Sequence, residues 1–191
     1  MKTLSQRIKE KLVMFPSQVN EKLVVNKNYT SIYNYYPKDR NELNIAIQEH
    51  YDKDIYDLND IDVSKITDFN SLFEMDKNTG NKDFNISEWD VSNGEDFSKM
   101  FRYCTKLNCN LSKWNVSNGI LFNSMFFNCY KFNSDLNNWD VSKGENFSWM
   151  FYTCYEFNCD LSKWKIKDTA KTTSMFNDCD IEDKYKPSGV K

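Results

Sequence analysis

The sequence predicts an α/β solenoid: a short stack of five coils of about 25 residues, with a helical N-terminal cap. Three observations predict it. Trp89, Trp114, Trp139 and Trp164 recur every 25 residues, as do Val91, Val116, Val141 and Ile166. Met100, Met125, Met150 and Met175 keep the same step, each followed by a phenylalanine (Phe101, Phe126, Phe151, Phe176), and Cys104, Cys129, Cys154 and Cys179 complete the columns. A fifth, degenerate copy precedes them, with Ile61, Asp62, Val63 and Ser64 aligned to Trp89, Asp90, Val91 and Ser92. Its step to the next copy is 28, and the extra residues fall around the turn-rich Asp76-Lys77-Asn78-Thr79-Gly80.

The elements follow in chain order. Residues 1–35 read as an amphipathic helix and linker, with Leu4, Ile8, Leu12 and Phe15 on one face of a helix over 3–15. That helix either covers the stack or meets a partner. Residues 36–57 read as the cap. Pro37 precedes Asp39-Arg40-Asn41-Glu42, a capping-box pattern, and Leu43, Ala46, Ile47 and His50 recur at helical spacing over 39–51. Residues 58–180 are the repeats. Within one copy, Trp114 to Gly119 forms an Asn-Gly turn. Phe122, Met125 and Phe126 have the i, i+3, i+4 spacing of a short helix, and Phe132, Ser134 and Leu136 alternate as a strand. Residues 181–191 read as a polar, loose tail.

Stacking turns each column into a ladder, so the Trp, Met-Phe and Cys columns are read as structural residues. It also accounts for the composition. Gly 5 and Pro 3 leave few ordinary turn residues, whereas 24 Asn supply side chains that cap their own turns. Three of the glycines, Gly94, Gly119 and Gly144, occupy one column of the central copies.

Charge and motifs narrow the function. Lys and Arg number 25 against 28 Asp and Glu, a net charge of −3 with no basic stripe, which argues against nucleic acid as a partner. No segment reaches the roughly 18 apolar residues of a membrane span. No apolar run follows the first residues, so the chain reads as cytoplasmic, without a signal peptide. One histidine, His50, and no phosphate-binding glycine loop leave no catalytic or cofactor residues to nominate. For the cysteines three readings stand: a buried ladder, disulfides between neighbouring coils, or a metal site, the last without C-x-x-C spacing. Trp149 breaks its column, where Lys99 and Ser124 stand in the sister copies. With Tyr103, Phe127 and Tyr152 it makes a candidate exposed aromatic patch for a protein partner of unknown identity.

The run Trp139-Asp140-Val141-Ser142, Met150-Phe151, Cys154 and Phe157-Asn158-Cys159-Asp160-Leu161-Ser162 resembles the BspA-like surface-protein repeats, also called DUF285, over about residues 36–180. The resemblance implies a divergent leucine-rich-repeat-like stack and a non-catalytic role in protein binding, or alternatively a structural or adhesin component of a virion or cell envelope. It supplies no catalytic residues. This sequence departs from the family in lacking a signal peptide and in placing glycine at 94, 119 and 144, where the family usually has an aliphatic residue. The Asn- and Lys-rich wording suggests an AT-rich genome such as that of a large cytoplasmic DNA virus. That source would place the protein in host cytoplasm or the virion.

Overall fold

The fold was obtained as a computed structural model that describes residues 33–74 and 84–190. The helix expected over 3–15 and the loop expected around 76–80 lie outside the described residues.

Helix α1 spans Arg40–Tyr51. The Asp39 carboxylate accepts from the N–H groups of Asn41 and Glu42, satisfying two of the donors a helix start leaves unpaired. Glu42 reaches back to the N–H of Lys38 at 2.9 Å, one residue earlier than in the usual reciprocal box. Leu43, Ala46, Ile47 and His50 are buried, and the first three join one continuous core with the repeats.

The α/β solenoid of helix–turn–strand coils must be corrected. Among the described residues α1 is the only α-helix, a three-residue 3-10 turn covers Asp183–Tyr185, and no strand forms. Consecutive repeats meet through isolated parallel bridges instead, Asp68 to Asp96 to Leu121 to Asn146 to Lys171, with two more at Tyr35–Ile61 and Asp57–Asn85. The helix expected over 122–127 and the strand expected over 132–136 are absent.

The backbone explains why. Ser71, Lys99, Ser124, Trp149 and Ser174 share one column, and all have φ between 52° and 58°. Four residues later Tyr103, Asn128, Thr153 and Asp178 are also left-handed, at 54° to 66°. A left-handed residue every fourth position reverses the winding before a helical turn can propagate. Half of the N–H groups then close turns three residues back, as Met100 to Phe97, Arg102 to Lys99 and Cys104 to Phe101. The other half point along the stack. The N–H groups of Phe97, Lys99, Phe101 and Tyr103 donate to the carbonyls of Leu121, Asn123, Met125 and Phe127 at 2.8–2.9 Å. The same four steps recur from Phe122 to Asn146 onward and from Phe147 to Lys171 onward. Alternate peptide groups of this segment thus share one direction, carbonyls toward the N-terminal repeat and N–H groups toward the C-terminal repeat.

The columns pack as ladders. Phe69, Phe97, Phe122 and Phe147 stack at 5.3–5.5 Å between centroids. Phe73, Phe101, Phe126, Phe151 and Phe176 stack at 5.4–5.8 Å. Each Trp Nε1 is tied into the preceding repeat: Trp89 donates to Leu58 O, Trp114 to Ile86 O, Trp139 to Leu111 O and Trp164 to Leu136 O, all within 3.2 Å. Each repeat therefore satisfies its buried indole only in the presence of its predecessor. Met100, Met125, Met150 and Met175 are fully buried between the aromatic columns.

The Asn and Asp excess is spent on Asx turns. Asp62, Asp90, Asn115 and Asp140 each accept from the N–H two residues on, and so do Asn85, Asn110, Asp135 and Asp160 in a second column. The column glycines meet a different need. A Cβ at Gly94, Gly119 or Gly144 would lie 2.1–2.3 Å from the ring tip of Phe97, Phe122 or Phe147. Glycine there makes room for the first Phe ladder.

At the C-terminal end residues 181–190 pack rather than trail. Tyr185 O accepts from Leu161 N, Glu182 N donates to the Asn158 side chain, and Pro187 is buried.

Candidate protein-binding surface

The predicted site residues fall into two groups. The ladder columns are interior: Trp89, Trp114, Trp139 and Trp164, the four Met-Phe pairs, and Cys104, Cys129 and Cys154 are all buried. Cys179, in the last repeat, is partly exposed. The cysteines are all free. Their thiols instead donate to backbone carbonyls of the preceding repeat, Cys104 to Phe73, Cys129 to Phe101 and Cys154 to Phe126, each at 3.0 Å. At Cys179 the corresponding contact shifts to Phe157 O and lengthens to 3.7 Å. Burial pushes the Cys104 thiol up to about 12 and the Cys159 and Cys179 thiols up to about 11, and holds Cys129 and Cys154 well above the ordinary range. A thiol held protonated is a poor nucleophile and a poor metal ligand. Among the described residues no three His, Cys, Asp or Glu side chains converge on a point that would hold a metal ion.

The aromatic candidates lie on the turn side. Tyr103 meets Phe127 edge-on at 5.5 Å, and Phe127 stacks on Tyr152 at 4.9 Å with an 8° interplanar angle. The repeat register thus brings three of the four together in one strip. Trp149 stands three residues before Tyr152, makes none of the observed ring contacts and is 44% exposed.

Two features were missed from sequence. Arg102 closes the N-terminal end of the strip, its guanidinium 4.7 Å from the Tyr103 ring centroid and 5.2 Å from that of Phe127. It is held there by Glu74 at 2.9 Å and by donation to the Tyr103 hydroxyl. Alongside, Tyr130 and Tyr155 stack at 5.2 Å with both rings exposed. Their shared column was visible as a 25-residue step, but only the turn geometry shows that it faces solvent.

The backbone at this surface is unusual. Tyr103 has φ 66° and Trp149 has φ 58°. The left-handed region costs a non-glycine residue about 1–2 kcal/mol, and Asn or Asp bear it best. Sister repeats fill the first column with Ser71, Lys99, Ser124 and Ser174, and the second with Asn128, Thr153 and Asp178. Trp149 and Tyr103 thus hold aromatic rings at positions that the sister repeats fill with polar residues.

A family model described as "Mycoplasma protein of unknown function, DUF285" matches residues 42–118 and again 74–186. The chain belongs to the DUF285 family. No curated protein and no solved structure matches it. The overlap of the two DUF285 matches reflects the internal period, since the second covers the 25-residue copies and the first reaches back through the degenerate copy into α1.

His50, the only histidine, is committed to structure. Its Nδ1 lies 2.7 Å from Ala46 O and its Nε2 lies 2.9 Å from the Asp60 carboxylate. With an acceptor at each nitrogen, the doubly protonated ring suits the site. Burial alone would lower its pKa, but the hydrogen bonds to Asp60 and Ala46 O and the Asp60 charge outweigh burial and raise it.

Proposed function

We propose that this DUF285 chain is a non-catalytic protein-binding module, and that the strip Tyr103, Phe127 and Tyr152, with Trp149 beside it, is where a partner docks. One observation carries the reading. Trp149 and Tyr103 place aromatic rings on left-handed backbone at the surface, where they cost stability and fill no core space. Rigid aromatics contribute binding energy at little entropic cost when a partner covers them. The three rings of the strip already stack on one another, so they offer edges and hydroxyls rather than free faces. Such a rim suits a polypeptide better than a sugar ring. The resemblance of the repeats to BspA-like surface proteins supports the same class of role.

The test is a Trp149→Ala/Tyr152→Ala double variant used as bait beside the wild type. A partner retained by the wild type and lost by the variant, with an unchanged melting temperature, supports the reading. Identical partners on both removes the strip from the binding surface.

A further inference from the structure

Among the described residues, the ladder that joins the repeats has no backbone partner at either of its ends. At the C-terminal end the N–H groups of Thr172, Ser174, Phe176 and Asp178 occupy the positions from which Phe147, Trp149, Phe151 and Thr153 donate to the next repeat. Among the described residues none of the four has an acceptor. The segment 181–190 does not supply one, since its pairing is with Leu161 and Asn158 on the other side of the last repeat. At the N-terminal end the matching carbonyls belong to Asp68, Asn70, Leu72 and Glu74. Asp68 O accepts from the Arg40 guanidinium at 3.3 Å, and none of the described residues donates to Asn70 O or Leu72 O. The segment at Tyr35 likewise pairs elsewhere, with residues 60–62. Each terminal segment therefore covers the Trp side of its repeat, and among the described residues none pairs with the turn side.

The two edges are complementary. One offers donors at every second residue and the other offers acceptors at every second residue, with the spacing of the internal steps. The aligned peptide groups give the edges opposite partial charges, as at the two ends of a helix. Side chains agree with this polarity. Continuing the column by one step sets Lys171 of one copy against Asp68 of the next, both exposed, with Asp68 3.9 Å from the Arg40 guanidinium of its own chain. Within the chain that column already holds the bridges Asp68, Asp96, Leu121, Asn146 and Lys171.

We propose that the turn-side edge at 172–178 docks the 68–72 edge of a second copy of this chain, continuing the ladder head to tail. This contact is independent of the aromatic strip. A head-to-tail contact is heterologous, so it leaves an open edge at each end and builds short chains rather than a closed dimer. With the terminal segments keeping the Trp sides apart, the contact is narrow and its assembly reversible.

Sedimentation equilibrium from about 1 μM to about 1 mM tests it. The weight-average mass is expected to rise without a plateau at the dimer and to fall with added salt. Backbone amide exchange read on the same samples should slow at Thr172, Ser174, Phe176 and Asp178 as concentration rises. Lys171→Glu should weaken association about tenfold, by losing one attraction and adding a repulsion. Combining it with Asp68→Lys should restore it. A monomer throughout the range overturns the proposal. So does a closed dimer, because two donor edges cannot pair, and so does association that neither protects the four amides nor responds to Lys171→Glu.

Discussion

At the scale of single residues, two positions tie the sequence directly to stability. His50 gains both of its acceptors on folding, so its folded pKa lies above the ordinary value near 6.5. A raised pKa stabilises the fold fully below the unfolded value, and that stabilisation is lost as pH rises through the folded one. Chemical denaturation at pH 5.5 and at pH 9 should therefore show His50→Gln costing more at the acidic pH than at the basic one. Equal costs at both would mean that the ring is neutral in the folded state. Gly119 makes a second case. A methyl there meets the Phe122 ring tip at 2.2 Å, and that ring is clamped between Phe97 and Phe147. Gly119→Ala should cost about 1–3 kcal/mol as overpacking, although alanine at an open position would ordinarily stabilise the chain. Thermal melts of the two proteins decide it.

At the scale of the element, the turn segment is held by left-handed residues and by bonds to its neighbours. The N–H of Trp149 donates to Thr173 O whatever side chain it bears. Trp149→Asn should accordingly be as stable as wild type or more so, by up to about 1 kcal/mol, because asparagine accepts the φ of 58° better. A loss above that scale in a urea titration would show that the indole packs as a structural prop. This element is also where sequence reasoning stopped. The helix α1 was legible because a capping residue, a Glu in the first turn and an apolar stripe all agree over Asp39 to His50. The Trp, Phe, Met and Cys columns were legible because their period is independent of local conformation. Phe122, Met125 and Phe126 carry the spacing of a helix face, yet they point inward from a chain of turns. Nothing in Lys99, Trp149, Tyr103 or Thr153 announces a left-handed backbone, since none is a residue that seeks it. The strip was legible as a set of aromatics in register, but not its burial: Tyr103 is exposed, whereas Phe127 and Tyr152 are half-buried. Its Arg102 clamp was not legible either, because the column shared by Glu74 and Arg102 does not say which rings the guanidinium reaches.

At the scale of the whole molecule, stability should be distributed along one dimension. Each repeat hangs its Trp indole on the carbonyl of its predecessor and its Phe rings on both neighbours, so nearest-neighbour contacts dominate. Position then matters as much as chemistry. Trp114→Phe and Trp164→Phe remove the same donor and leave Ile86 O and Leu136 O respectively without it, each a cost of about 1–3 kcal/mol at a buried carbonyl. Trp114 has repeats on both sides, so its loss has no free end to relax into and should lower the stability of the entire stack. Trp164 belongs to the last repeat, beyond which, among the described residues, 181–190 packs. Its loss can be absorbed by fraying that end, which opens from about residue 161 onward and leaves the interior repeats closed. Amide exchange of the two variants separates these outcomes. Trp114→Phe should accelerate exchange at Phe97, Phe101, Phe122 and Phe126 together. Trp164→Phe should accelerate Leu161, Trp164 and Tyr185 while sparing those four. Uniform acceleration in both variants would instead mean that the stack unfolds as one cooperative unit, with the end held as firmly as the middle.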